Sequence, residues 1–215
     1  MVSTLVNLGA NNFLLITIDT MYILSRMARI QKASPGRLVI SVVHSSRDAL
    51  ADALNLLERR FGRVQCETID IPHSNGQEYR EEMGDSLQRR FFSFENLIQR
   101  DSLIEVKEFC HRVETQLGDH IHDYTFRTVN IDPMLMTPAN LVLASHREFN
   151  HRIYLGAGVF GEVCLIWSRG KYCRLPWTDP DFCHDEAIDF FFRVRSSFDV
   201  ADESEQAVSS EAHAG

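Results

Sequence analysis

Along the chain the apolar positions change period several times, and each change marks an element. Leu38 to Val43 is a continuous apolar, β-branched run of the kind a buried strand shows. From Arg47 to Arg60 the period switches: Leu50, Ala53, Leu54 and Leu57 recur at helical spacing, and Gly62 supplies the stop just past the helix end. Val64 to Ile71 alternates as a second strand, so the chain opens on a strand-helix-strand unit, and Pro72 to Gly76 is turn chemistry. Gln77 to Ile98 has no single clean period and predicts a short helix followed by an extended segment. Asp101 to Leu117 is the clearest helix. Its stripe is Leu103, Val106, Cys110, Val113 and Leu117, Ser102 with Glu105 spells a capping box, and Gly118 ends it.

Further on, Thr128 to Ile131 predicts a strand, Asp132-Pro133 a break, and Thr137-Pro138 an N-cap with proline at the first helical position, so Asn140 to Ser145 is expected to be a short helix. His151 to Leu155 and Val159 to Trp167 flank Gly156-Ala157-Gly158, a hairpin signal, and Arg169-Gly170 turns the chain into Tyr172 to Leu175. These make a three-strand meander. Pro176 to Cys183 is a loop, and Asp185 to Phe198 a closing helix with Ile188, Phe191, Phe192, Arg195 and Phe198 near one side. The whole is an α+β single domain over residues 37–198, with a mixed or antiparallel sheet and packed helices.

The two ends stand apart from this pattern. In residues 1–36 the apolar run Phe13 to Ile18 is broken by Asp19 and Thr20, which leaves it too short to span a bilayer. No basic residue precedes the run and no small-x-small cleavage site follows, so it does not spell a secretory signal. Met27 begins MARIQKASPGRLVISVV, an ordinary lead-in to the first strand; residues 1–36 are expected to be an extension outside the fold, with translation starting at Met27. Residues 199–215 are small and acidic, and a disordered tail is expected there.

Composition narrows the classes. At 215 residues and 44% hydrophobic content the chain can bury a real core. The formal net charge is -8, of which Asp199, Asp202, Glu203, Glu205 and Glu211 in the tail supply five, so the body is only weakly acidic. No basic nucleic-acid footprint is present, and neither a nucleic-acid nor a membrane partner is expected. Cys66, Cys110, Cys164, Cys173 and Cys183 are odd in number and include no C-x-x-C pair, which fits reduced thiols in a cytoplasm rather than a disulfide scaffold. His120-Ile121-His122 and Cys183-His184 lack the spacings of a tetrahedral metal site, so no metal is expected. The signatures of nucleotide loops, dinucleotide folds, serine hydrolases and zincins are missing. No particular cofactor, reaction or oligomeric state is indicated.

Three stretches in order, EMGDSLQRRFFSFENLI, RTVNIDPMLMTPANLVLASHREFNHRIYLGAGVFGEVCL and LPWTDPDF ahead of an aromatic-rich helix, resemble the bacterial family catalogued as domain of unknown function 4416. The resemblance runs from about Leu38 to Phe198 and brings no activity with it. The chain departs from the family pattern at Met134, where a glycine is usual, at Asn140, where a lysine is usual, and at Ala157, where an aspartate is common. Interest therefore falls on Asn130, Asp132, His151, Arg152 and Glu162.

With a three-residue loop at Gly156 to Gly158, Arg152 faces Glu162 across the hairpin on the face that carries Cys164 and Ile166; a two-residue loop would remove that pairing. Two readings are open. The pair either fixes strand register, or Arg152 binds an anionic group while Glu162 acts as base or metal ligand. Asn130 and Asp132 either terminate a strand or sit at a site on its end. His151, placed beside Ile153 on the opposite face from Arg152, is expected to be an ordinary core histidine. Arg90, with Arg89, either grips phosphate or covers a solvated face. The expected function is thus that of a cytoplasmic enzyme or binding protein for an anionic, phosphorylated small molecule. The alternative is a structural or interaction protein, with Phe91 to Phe94 or the Trp177 loop as partner surface. A concave pocket joining Asp132, Arg152 and Glu162 separates the two.

Overall fold

A computed structural model describes residues 3–7, 13–17, 32–74, 76–121 and 124–212, with side chains within 32–74, 79–120 and 126–198. The expected start at Met27, and the second histidine of His120-Ile121-His122, lie outside these residues. The chain divides into two units, Met1–Ala33 and Ser34–Gly215. In the first, β1 (Ser3–Asn7) and β2 (Phe13–Thr17) pair as an antiparallel hairpin.

The second unit is the α+β domain. Its first strand, β3 (Gly36–His44), is buried at every position, as the continuous apolar run requires. Helix α1 (Arg47–Phe61) starts on Ser46, whose hydroxyl accepts from Ala49 N at 3.1 Å, and stops at Gly62, where φ is +93°. The expected second strand is split into β4 (Val64–Glu67) and β5 (Ile71–Pro72). Helix α2 (Gly76–Met83) and strand β6 (Gln88–Ile98) fulfil the helix-then-extended expectation for Gln77 to Ile98. A 3₁₀ turn, Arg100–Ser102, leads into α3 (Leu103–Leu117). Ser102 is itself helical and makes no side-chain cap bond, so the capping box is not formed: the 3₁₀ turn occupies the place where a cap would stand. A small hairpin, β7 (Asp119–Ile121) and β8 (Tyr124–Phe126), follows.

The central sheet is antiparallel throughout, with β9 (Val129–Met136), β10 (Asn140–Ser145), β11 (Ile153–Gly156), β12 (Val159–Ser168) and β13 (Lys171–Arg174) completing nine strands. Its order is β11-β12-β10-β9-β3-β6-β4, with β13 on β12 and β5 on β6. The segment β3-α1-β4-β6-α3-β9 therefore forms two interleaved split β-α-β units, the ferredoxin-like arrangement. Helices α1 and α3 cover one face over Leu38, Ile40 and Val42. After a second 3₁₀ turn (Pro180–Cys183), α4 (Asp185–Ala212) covers the other face over Val39, Phe91, Met134 and Met136. The buried face of α4 is Ala187, Phe190, Phe191 and Val194, one residue round from the expected stripe; Phe192 is 50% exposed.

Two expectations around residues 132–145 are corrected. Asp132-Pro133 does not break the chain: β9 runs through both. Asn140 to Ser145 is a strand, not a helix. The cap chemistry of Thr137 is present, since its hydroxyl accepts from Ala139 N at 3.2 Å and from Asn140 N at 3.1 Å, but it closes the β9–β10 hairpin instead of starting a helix. The β11–β12 connection is a two-residue turn, Ala157-Gly158, with Gly156 opposite Val159. A bulge between Tyr154 and Gly156 restores Tyr154 opposite Phe160, so the register that pairs Arg152 with Glu162 survives the shorter loop.

Candidate functional site

β9 and β10 pair only from Leu141–Met136 to Leu143–Met134, and beyond that they separate. Pro133 explains where the ladder stops. Ile131 turns both backbone groups away from β3: its N–H donates to Glu114 Oε1 at 2.6 Å, and its carbonyl accepts from Lys107 Nζ at 3.0 Å. Pro133, two residues on, points the same way and has no N–H to offer β10. The separation leaves a cleft of about 460 Å³. Its lining comes from nearly every part of the domain: Arg89 of β6, Lys107, His111 and Glu114 of α3, Asn130 and Asp132 of β9, Ser145 at the end of β10 with His146, Arg147, Phe149, His151 and Arg152 after it, Glu162 and Cys164 of β12, Trp177 and Asp179 ahead of α4, His73 ahead of α2 and Tyr79 within it.

One wall is a chain of charge. The Glu82 carboxylate holds the Arg127 guanidinium through two hydrogen bonds of 2.7 and 2.6 Å and its backbone N–H through a third of 3.1 Å, Arg127 Nη1 donates to Asn130 Oδ1 at 2.8 Å, and Asn130 Nδ2 donates to Asp132 Oδ2 at 2.6 Å. Lys107 Nζ closes on Asp132 Oδ1 at 3.4 Å. Burial works against the Asp132 carboxylate, but Lys107, Arg89 and the Asn130 hydrogen bond outweigh it and hold its pKa below the usual range. Burial likewise opposes the Lys107 ammonium, and the fields of Asp132 and Glu114 more than offset it, so its pKa is raised. Glu114 goes the other way: its burial outweighs Lys107 and lifts the carboxyl above its ordinary range.

The opposite wall is built on Glu162, only 5% exposed. Its Oε2 accepts from Arg152 Nε at 2.7 Å and contacts His151 Nε2 at 3.0 Å. Arg152 Nη1 also donates to Ser145 Oγ and to the Arg147 carbonyl, both at 2.9 Å, and the guanidinium lies 4.8 Å above the Phe149 ring. His151 is stacked between Phe149 and Trp177, at 5.7 and 5.1 Å. It stands on the same side as Arg152, contrary to the expected opposite face, because β11 begins only at Ile153 and strand alternation does not reach His151. Trp177 is fixed by donating Nε1–H to the Val163 carbonyl at 2.9 Å.

A third group was not singled out from the sequence. Asp181, fully buried, contacts His73 Nδ1 at 2.6 Å through Oδ2, accepts from Ser74 N at 3.0 Å through Oδ1, and lies 3.1 Å from Arg89 Nε. Burial raises its pKa, but the His73 hydrogen bond, Arg89 and Ser74 together bring it down to about 2. Arg89 Nη2 also donates to Asp179 at 3.1 Å. The side chain of His73 is 1% exposed, and its Nε2 has no hydrogen-bond partner among the described residues.

The structure thus brings Asn130, Asp132, His151, Arg152 and Glu162 to one cleft and leaves Arg90 out of it. Arg90 is bonded to Asp70 at 2.8 Å and paired with Glu67 at 3.5 Å, while its neighbour Arg89 faces the cleft, as strand alternation dictates. Phe91, Phe92 and Phe94 are fully buried, which removes them as a partner surface. All five cysteines are free, and no cluster able to hold a metal occurs among the described residues. None of the helices among these residues is long and apolar enough to cross a membrane.

Compared with known proteins, residues 34–198 match the family described as Domain of unknown function (DUF4416), and the chain belongs to that family. No curated protein and no solved structure matches it.

Proposed function

We propose that this member of the DUF4416 family uses the cleft between β9 and β10 to bind a small molecule through an anionic, phosphate-like group. The observation that carries the reading is the convergence of Asp132, Arg152 and Glu162 on one concavity, which a scaffold role for these residues does not require. Charge supports it: five cationic side chains, Arg89, Lys107, Arg127, Arg147 and Arg152, line the cleft against the four carboxylates of Glu114, Asp132, Glu162 and Asp179. Hydrogen-bonding capacity supports it as well. Glu162 is occupied by Arg152 and His151, so its role is to orient them and not to act as a base; Arg152 Nη2 and Arg89 Nη1 keep their N–H groups unspent among the described residues. Each of these guanidinium groups is held by carboxylates and still has one nitrogen, Nη2 of Arg152 and Nη1 of Arg89, to donate to an oxyanion.

Titrating inorganic phosphate and simple phosphate monoesters into the full chain, followed by thermal unfolding, tests the reading. A binding site raises the midpoint in proportion to the logarithm of ligand concentration. The rise is expected in the wild type and absent in Arg152→Ala; an equal rise in both, or none in either, would refute an anion site at Arg152.

A further inference from the structure

His73 and Asp181 have no part in the anion contacts just described, yet His73 lines the cleft and Asp181, fully buried, holds it at 2.6 Å. The 2.6 Å contact between Nδ1 and Asp181 Oδ2 sets the tautomer of the neutral ring. An ionised carboxylate can only accept, so Nδ1 carries the hydrogen, and the 3.3 Å approach of Arg89 Nη2 to the same nitrogen is a contact rather than a bond. In the neutral ring the lone pair therefore sits on Nε2. That atom is buried and has no partner among the described residues, in a side chain that lines the cleft. A buried acceptor left unmatched is costly, and a bound group that carries a hydrogen removes the cost.

We infer that His73 Nε2 is the proton-accepting atom of the cleft and that it selects oxyanions which still carry a proton, hydrogen phosphate and phosphate monoesters with a hydroxyl nearby, over fully deprotonated ones such as sulfate. The inference rests on the anion reading given above. The two atoms divide the recognition: Nη2 of Arg152 takes charge, and Nε2 of His73 takes an O–H. Against sulfate, the same lone pair faces oxygen lone pairs and repels them. If the accepted hydrogen is transferred, the O–H bond breaks with its electron pair left on oxygen, and His73 becomes an imidazolium whose charge Asp181 stabilises, the division of labour of an aspartate-histidine pair in general-base chemistry. Asp181 in that arrangement is a positioning residue, acting through the ring it holds.

The test compares phosphate with sulfate by titration calorimetry on the full chain at one pH, in the wild type, in His73→Gln and in Arg152→Ala, with the tautomer of His73 read by nitrogen NMR of histidine-labelled protein. The wild type is expected to prefer phosphate by at least about tenfold, the range opened by one unmatched buried polar group. His73→Gln is expected to lose most of that preference while still binding both anions, and the spectrum to show hydrogen on Nδ1 and none on Nε2. Arg152-dependent binding with no preference between the anions, or an Nε2–H ring, overturns the inference and leaves the anion site standing. If neither anion binds the wild type, the anion reading fails and this inference falls with it. A His73→Gln chain that does not fold is replaced by the wild-type pair of titrations and the tautomer, which decide the matter without it.

Discussion

At the scale of single residues, the decisive side chains are those whose charge is buried and matched. Glu162 joins Arg152 and His151 at 6% side-chain exposure, so Glu162→Ala strands a guanidinium and is expected to cost about 3–5 kcal/mol in urea denaturation. A loss below about 1 kcal/mol would mean the pair is effectively solvated. Asp181 gives a pH signature. Its folded pKa, about 2, is depressed, so its contribution is fully present above the unfolded carboxyl value near ~4 and is lost as pH falls through about 2. On the order of 2 kcal/mol of stability is expected to disappear over that window in the wild type, and the curve for Asp181→Asn is expected to be flatter; identical slopes would show that the carboxylate is not held as described. Glu114, with its pKa raised, works with the opposite sign: it favours the fold at low pH and loses that contribution as pH rises through its folded value. Cys110 and Cys164 are buried and their thiols pushed up, so neither is expected to react with a thiol reagent at pH 8 in the native chain.

At the scale of elements, what the sequence declares depends on whether a residue's partner is local. The first strand, helices α1 and α3, the glycine stop of α1 and the β11–β12 hairpin follow from period and turn chemistry within a few residues. The Arg152–Glu162 pairing was legible for the same reason, since hairpin register is short-range. Thr137-Pro138 misled because a hydroxyl accepting two backbone N–H groups serves a helix start and a tight hairpin equally; only the pairing with β9 decides. Lys107, His111 and Glu114 were hidden on the flank of the α3 apolar stripe, where charged residues ordinarily reach out to water. Their role appears only once Ile131 is seen with backbone groups that β10 does not pair. His73 and Asp181, 108 positions apart, left no local signal at all. The β11–β12 turn carries a further expectation. Ala157 sits at φ +49° and Gly158 at +73°, a geometry in which asparagine outperforms alanine at the first position. Ala157→Asn is therefore expected to raise stability by about 0.5–1 kcal/mol in the same denaturation experiment; a decrease would contradict the turn assignment.

At the scale of the whole molecule, the cleft is a consequence of the sheet's plan. A split β-α-β core supplies β9 as a strand flanked by β3 on one side, and β10 to β13 extend the sheet from the other for only part of its length. Where the extension departs, α3 meets the exposed edge with charge and the segment before α4 brings Trp177 and Asp179 across. All of these parts lie within residues 34–198, the span matched by the family, and within the second of the two units. We propose on that basis that a chain beginning at Ser34 folds with an unchanged thermal midpoint and keeps its anion binding; a fall of several degrees would assign the first 33 residues a structural role. The most direct test of the central claim is a crystal of the full chain soaked in millimolar inorganic phosphate. Tetrahedral density within hydrogen-bond reach of Arg152, in the cleft between β9 and β10, is the predicted result. Phosphate ordered elsewhere on the molecule, with only water in the cleft, would contradict the account.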